Sequence, residues 1–552
     1  MIQYYHRGCD IVNPLLIAIN AKYIHTNNAV RLLKANSRFN VDFLEFTIKD
    51  PVDKILENIL EAKPTLLGFS TYIWNIEIIK ELIPLIKKHL DIPIVLGGPE
   101  VSYDAEEFLN TLPIDLVVKG EGERVFDDVI DYFHHQTPFS NPINISTKSV
   151  NYPIEEITSL DTLKSPHLEA RDINDIPHRV QYIESSRGCP FNCSYCLSSL
   201  EKKVRFFTFD YVKMNLLYLI KHNAKTIKFL DRTFNANPSM IAIIDTIIEH
   251  HKKNQSYQFE ITADRLDESI INHIHNHAPK HLFRFEIGIQ STHPITNKLV
   301  DRYQDNDALF KTIKTIIKHD IIDLHLDLIA GLPEEDLSRF KQTFDAVYRL
   351  GAKELQLGFL KMLRGTKIRH QAERFRYKYS ATAPYEIIEN NVLSKKDLDI
   401  IRGVEKTLNV FHNKNLFGEL IFQHARQNSP FEFFDRLGTF LNHQGVNLHR
   451  YQLDELYSYY ERFLKTQNFD QKAIDNVRYY YLKRAKIKPK TYFEIVNDKK
   501  IKKTCFDNLA LNHNLNQNEL YKHSIVTKLF GKYFIFHYQN YQTNVYQLFL
   551  ND

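Results

Sequence analysis

Glycine is scarce in this chain. Seventeen in 552 residues is roughly 3%, against a usual share near 7%. That excludes collagen-like, glycine-linker and low-complexity chains, and makes each glycine a candidate marker of a backbone requirement. Cysteine is also rare. Of five, Cys9, Cys189, Cys193, Cys196 and Cys505, three lie within eight positions, too few and too clustered for a disulfide framework, which points to a reducing cytoplasm. No apolar run reaches the ~18 residues of a membrane span. Met1 to Pro14 carries charge without the apolar core of a signal peptide. Net charge is +4, so charge alone implies no polyanion partner. Aromatics at 12% oppose disorder, and the length suggests three to four domains.

Short apolar runs alternate with amphipathic helical patterns over residues 1–132. The runs are Leu15 to Asn20, Val41 to Phe46, Thr65 to Ser70, Ile94 to Leu96 and Asp115 to Val118. This rhythm implies βαβ units and a doubly wound, flavodoxin-like parallel sheet. Ligands of such sheets lie beyond the carboxyl ends of the strands, where Gly97, Gly98, Gly120 and Gly122 stand beside Ser70-Thr71-Tyr72-Ile73-Trp74. Residues 133–178 lose periodicity and read as a linker.

A second series spans 179–380. Its strands are Val180 to Ser186, Thr226 to Leu230, Tyr257 to Ala263, Leu282 to Ile289, Asp323 to Ile329 and Glu354 to Leu360. Six βα units suggest a partial (β/α)6 barrel of the TIM type. On four strands one face is polar: Glu260, Thr262 and Asp264; Glu286, Gly288 and Gln290; His325 and Asp327; Glu354, Gln356 and Gly358. A structural barrel interior is filled with branched apolar side chains, so this one is expected to bind something polar. His325 and Asp327 are candidates to handle a substrate proton.

The remainder, 381–552, is read as an α+β module. Its helices include Lys395 to Asn409, Asp454 to Lys465 and Asp470 to Lys486; its β-rich segments are Thr491 to Val496, Tyr533 to Tyr538 and Val545 to Leu550. Tyr479 to Arg484 reads as a solvated helix face and Lys499 to Lys503 as a charged turn, and nucleic-acid contact is not expected.

Chemistry concentrates at Cys189-Pro-Phe-Asn-Cys193-Ser-Tyr-Cys196, directly after the first barrel strand. Three thiolates on one loop can converge on a soft metal centre and leave one position open. A structural zinc site would ask for a fourth ligand close by, and a redox Cys193–Cys196 pair leaves Cys189 unexplained. The CxxxCxxC spacing, with an aromatic before the last cysteine, resembles the radical S-adenosylmethionine (SAM) superfamily. That resemblance implies a 4Fe–4S cluster held by Cys189, Cys193 and Cys196, SAM as cofactor, and a reductant such as flavodoxin or ferredoxin.

The same resemblance implies SAM contacts at Tyr195, at Asp231 and Arg232 in place of the usual glycine-glycine-glutamate, at Glu286 and Gln290, and at Gly331-Leu332-Pro333. Arg265 is a carboxylate partner by its guanidinium geometry. Residues 1–132 are similar to the cobalamin-binding domain preceding the barrel in one branch of that superfamily. The likeness rests on Ser70 to Asn75, Gly97-Gly98-Pro99-Glu100 and Gly120-Glu121-Gly122-Glu123, and the last module resembles a domain of unknown function attached to the same proteins. The lower-ligand motif Asp-x-His-x-x-Gly is absent around His25, leaving Tyr72 or Trp74 to cover the lower face of cobalamin. The resemblance implies methylation of an unactivated centre in a small-molecule or biosynthetic-intermediate substrate. A cobalamin-using cyclase or rearrangement enzyme, and a non-catalytic cobalamin and Fe–S sensor, are the alternatives.

Overall fold

The computed structural model describes residues 12–201, 203–513 and 515–548. Cys9 and the Met1 to Pro14 reading through residue 11 lie outside them, as do Phe549 and Leu550 at the end of the last expected strand. The chain divides into two compact units. One runs through Thr343 and includes Leu357–Leu398; the other holds Phe344–Gln356 and the chain from Asp399.

The first unit opens with β1 (Pro14–Asn20), α1 (Asn28–Asn36), β2 (Asp42–Thr47), α2 (Val52–Ala62), β3 (Leu66–Ser70), α3 (Ile76–His89), β4 (Ile94–Gly97), α4 (Ala105–Thr111), β5 (Leu116–Val118) and α5 (Phe126–His134). The five strands are parallel in the order β2-β1-β3-β4-β5, the flavodoxin arrangement. Every residue of β1 is buried. Ile17 and Ile19 pack with Ile55, Ile79 and Ile83 on one face, Leu16 and Ala18 with Val30 and Val129 on the other, which explains runs that are apolar without alternation. Within the expected linker, β6 (Ile145–Ser146) adds an antiparallel strand to β5. Strand order reverses between β1 and β3, and that crevice is where a ligand of this sheet belongs.

The second sheet has the order β7-β10-β11-β12-β13-β14. It is built from β7 (Gln181–Ile183), β10 (Thr226–Phe229), β11 (Ser256–Ile261), β12 (Phe283–Gln290), β13 (Asp323–Ala330) and β14 (Glu354–Phe359). Between β7 and β10, β8 (Ser186–Arg187) and β9 (Arg205–Phe206) form a two-residue antiparallel ladder. The helices are α6 (Phe209–Lys221), α7 (Met240–His250), α8 (Glu268–His277), α9 (Pro294–Leu299), α10 (Asn306–His319) and α11 (Leu337–Tyr348). Burial alternates strictly along β12 and β13: Phe285, Ile287, Leu324 and Leu326 are buried, while the polar residues face the other way. α12 (Lys367–His370), the hairpin of β15 (Lys378–Tyr379) and β16 (Ile387–Glu389), and α13 (Lys395–Leu408) follow.

The second unit contains α14 (Glu419–Ala425), α15 (Pro430–His443), α16 (Leu453–Thr466), α17 (Gln471–Arg484), α18 (Lys499–His513), α19 (Gln517–His523) and an antiparallel meander of β17 (Ser524–Leu529), β18 (Lys532–Gln539) and β19 (Gln542–Leu548). The Asp470 side chain caps α17 by accepting from the Ala473 amide. Thr491 to Val496 is not a strand; one hydrogen bond, from the Val496 amide to the Val526 carbonyl (3.0 Å), is all it gives the sheet. Tyr479 does not lie on a solvated face but packs against Phe530, Phe534 and Phe536.

Candidate functional site

The three cysteines occupy the loop between β8 and β9. Gly188 turns the chain into it at φ +88°, and a Cβ there would stand 2.4 Å from the Lys203 carbonyl oxygen, so no larger residue fits. Cys193 is buried, Cys189 and Cys196 are half-buried, and all three are free thiols. Burial pushes the Cys189 thiol up, and Cys196 and Cys193 are close enough to add to that shift. The Cys189 sulfur lies 3.6 Å from the Thr233 hydroxyl. Among the described residues no group of three or more His, Cys, Asp or Glu converges on a single metal ion. A cubane cluster asks for something different, since each thiolate takes a different iron and the sulfurs spread accordingly. Three uncommitted thiols on one enclosed loop fit that donor set.

Next to the loop, Gln290 ends β12 at φ +66°, after a register shift between Gly288 and Gln290. Its amide nitrogen would stand 2.4 Å from a Cβ at Gly288, so the glycine makes room for it. Its Oε1 is buried without a hydrogen-bond partner, an acceptor waiting for a donor. Arg302 completes this corner. Its guanidinium lies 3.8 Å from the Cys193 sulfur and 3.4 Å from the Tyr195 hydroxyl, and also donates to the Gly288 carbonyl. Nothing in the local sequence marks Arg302, which reaches the site from the turn after α9.

Several expected contacts point elsewhere. Asp231 is buried and accepts from the Ser185 amide (3.0 Å) and the Ser185 and Ser186 hydroxyls (2.6 and 2.5 Å). Its carboxyl, raised to about 6 by burial against those donors, pins the chain before the cysteine loop rather than facing a ligand amine. Arg232 reaches Glu260 at 3.5 Å. Arg265 lies over the ring of Phe191, 4.7 Å from its centroid, which places it beside the cysteine loop. Gly331, Leu332 and Pro333 are buried, and the carbonyls of Gly331 and Pro333 accept from Tyr377 (2.9 Å) and Thr296 (2.7 Å).

Below this corner the barrel holds a charged layer. Glu260, Glu286 and His325 are register partners on β11, β12 and β13. Glu286 is paired with Lys228 at 2.6 Å rather than free for a ligand, and Arg284 contacts both Glu286 (3.7 Å) and His325. His325 and Asp327 do meet, at 3.2 Å. Burial opposes the His325 imidazolium, but Asp327 outweighs it and the pKa rises.

At the crevice of the first sheet, Tyr72 and Trp74 stack with centroids 4.3 Å apart and planes 7° from parallel. The Trp74 indole donates to the Ile19 carbonyl at 3.1 Å, yet the residue is 43% exposed. A flat, anchored, half-open pair at the switch point fits a large planar ligand such as cobalamin. His25 turns its Nδ1 to the Tyr182 hydroxyl, 2.6 Å away. Gly98 is explained by the fold: at φ +115° a Cβ would stand 2.4 Å from the Thr71 carbonyl. Glu100 turns inward to Arg364 (3.2 Å) and Tyr385. Gly97, Gly120 and Gly122 lie at the carboxyl ends of β4 and β5.

Between Gly120 and Gly122, Glu121 accepts from Arg187 (3.0 Å) and from Arg205 (2.9 Å). Glu123 takes the other nitrogen of Arg187 at 2.8 Å. Arg187 and Arg205 are cross-strand partners in the β8–β9 ladder, so the edge of the first sheet is clamped to both ends of the cysteine loop.

Three family models tile the chain: the B12-binding domain over residues 14–130, the radical SAM superfamily over 183–347, and a protein of unknown function, DUF4080, over 373–548. The chain is similar to an uncharacterized methyltransferase of Pyrococcus horikoshii, with 25% identity over 50% of this chain and 62% of that protein. It is also similar to the cobalamin-dependent radical SAM methyltransferase TokK of Streptomyces tokunonensis, with 22% identity over 55% of this chain and 47% of that one. It thus spans about half to three-fifths of the length of these curated relatives. Its fold is similar to that of the cobalamin-dependent S-adenosylmethionine radical enzyme OxsB solved with aqua-cobalamin, with TM-score 0.61 and 14% identity over 86% of this chain and 79% of that one.

Proposed function

Because this chain is a radical SAM protein with a B12-binding domain ahead of its barrel and a domain of unknown function after it, we propose that it is a cobalamin-dependent radical SAM methyltransferase. Its substrate on this reading is a small molecule or biosynthetic intermediate methylated at an unactivated centre. When bound, the cluster would supply the electron that splits the sulfonium of SAM, and cobalamin a carrier for the methyl group. The observation that carries the reading is the clamp of Arg187 and Arg205 on Glu121, which ties the cysteine loop to the ligand edge of the first sheet.

Cys189, Cys193 and Cys196 would hold iron as thiolates. The Arg302 guanidinium beside Cys193 suits a carboxylate, and the unpaired Gln290 Oε1 suits a hydroxyl or amine donor. Asp327 holds the His325 imidazole 3.2 Å away and raises its basicity, so His325 can take or return a substrate proton. Tyr72 and Trp74 offer the flat face for cobalamin. Electrons would come from a flavodoxin- or ferredoxin-type reductant. No helix among the described residues is long and apolar enough to cross a membrane.

Anaerobic incubation of reconstituted protein with SAM, reductant and cobalamin tests the reading. S-adenosylhomocysteine together with 5′-deoxyadenosine is the expected outcome. Formation of 5′-deoxyadenosine alone favours cyclisation or rearrangement, and neither product sinks the enzyme assignment.

A further inference from the structure

Charge is unevenly spread along this chain. Residues 485–548 hold ten lysines and no arginine against four acids, a surplus of six where the whole chain has four. The remainder is therefore net negative. Lys499 to Lys503, expected as a charged turn, instead open α18. Cys505, Phe506 and Leu509 bury the inner face of that helix, leaving Lys499, Lys500 and Lys503 in solvent. Two other segments bring lysines to the same place. Lys488, from the chain before α18, donates its ammonium to the Lys522 carbonyl at the end of α19 (3.1 Å). Lys502 of α18 lies close enough, together with burial, to lower the Lys488 ammonium.

Like charges held together cost stability unless something answers them. Among the described residues, none of Lys488, Lys499, Lys500, Lys502, Lys503 and Lys522 has an ion-pair partner. An aromatic borders the cluster. Tyr521 is 48% exposed and packs edge-on against Phe506, centroids 4.6 Å apart, one turn along α18 from Lys502 and Lys503.

We propose that this face of the C-terminal unit binds RNA, with the lysines on phosphates and Tyr521 against an unpaired base. Lysines without ion-pair partners around an open aromatic are the pattern by which folded RNA is held through backbone charge and stacking. The proposal is independent of the methyl-transfer reading.

Full-length protein is titrated with a fluorescent tRNA transcript at several salt concentrations, with duplex DNA and poly-glutamate as competitors. Wild type is expected to bind tRNA with affinity falling steeply as salt rises. K499E/K500E/K503E is expected to lose at least roughly tenfold in affinity, and its log–log salt slope to flatten by about one for each phosphate contact removed. Its melting temperature should match wild type. K311E/K314E/K318E, which makes the same charge change on the exposed face of α10, should bind as wild type does, and Y521A should weaken binding without changing the slope. Absence of binding at low salt, equal loss in the α10 variant, or displacement by poly-glutamate or duplex DNA as efficient as by unlabelled tRNA would overturn the proposal, the last two competitors reassigning the face to an acidic protein or to DNA.

Discussion

Arg187, two residues before Cys189, holds Glu121 at 3.0 Å and Glu123 at 2.8 Å. These two ion pairs tie the loop that carries the thiols to the sheet edge that would carry cobalamin. Replacing both acids by amides keeps their volume and some hydrogen bonding while removing the charge. E121Q/E123Q is therefore expected to leave formation of 5′-deoxyadenosine within a few-fold of wild type. Formation of S-adenosylhomocysteine should drop on the order of a hundredfold, because it requires the two cofactors in register. Product analysis by liquid chromatography separates the two rates, and an equal fall in both would contradict a registering role.

The stacked Tyr72–Trp74 pair makes a second prediction. Trp74 is anchored through its indole to Ile19, so W74A removes both the flat surface and its anchor. Equilibrium dialysis should show cobalamin affinity falling roughly tenfold, the scale of one lost aromatic contact of about 1.4 kcal/mol. W74F, which keeps a ring but loses the indole donor, should retain most of it. Unchanged retention in W74A would remove the pair from the site.

A pH dependence follows from Glu335. Its carboxyl is fully buried, accepts from the Ser291 and Thr343 hydroxyls at 2.7 Å each, and is pushed up to about 7 by burial, against those hydroxyls. The folded chain keeps this proton to near neutrality, whereas the unfolded chain releases it near 4.5. The contribution of Glu335 to stability is thus complete below that value and is lost as pH rises towards 7. The full loss is about 3 kcal/mol for a shift of this size. Urea denaturation at several pH values should show wild type weakening over that window more than E335Q does; parallel profiles would refute the assignment.

Asp231 yields a structural prediction where a ligand contact was expected. D231A leaves the Ser185 and Ser186 donors buried without an acceptor, and should cost roughly 2 to 4 kcal/mol. D231N, which keeps one oxygen, should cost less. The reading is contradicted if D231A melts with wild type.

C193A tests the ligand set without turnover. Reconstituted wild type should show the thiolate-to-iron charge-transfer absorbance of a cluster, and C193A should lose it. Retained absorbance would mean that other residues hold the iron.

Both sheets were legible because their strands are apolar runs or strict alternations: β1 is buried throughout, and β12 alternates over all eight residues. β17 escaped because Ser524 to Val526 is buried on both faces and shows no period. Thr491 to Val496 has strand-like composition, but forms no ladder and meets the sheet through the single Val496 amide bond to the Val526 carbonyl. The cysteine spacing marked the cluster loop directly. Arg187, Arg205, Arg302 and Arg364 were invisible as site residues, since each acts through partners tens to hundreds of positions away, and no local pattern encodes such pairs. The internal partners of Glu100, Asp231 and Glu286 were hidden for the same reason: a carboxylate looks available in the sequence until its donors are known.

The central claim is that the two halves of the first unit act together on one methyl group. It is tested most directly by measuring S-adenosylhomocysteine formed by the anaerobically reconstituted protein with and without added cobalamin, with SAM and reductant held constant. The expected result is formation that requires cobalamin and falls roughly tenfold in W74A at limiting cobalamin. Formation at the same rate without cobalamin, or none in its presence while 5′-deoxyadenosine accumulates, would contradict it.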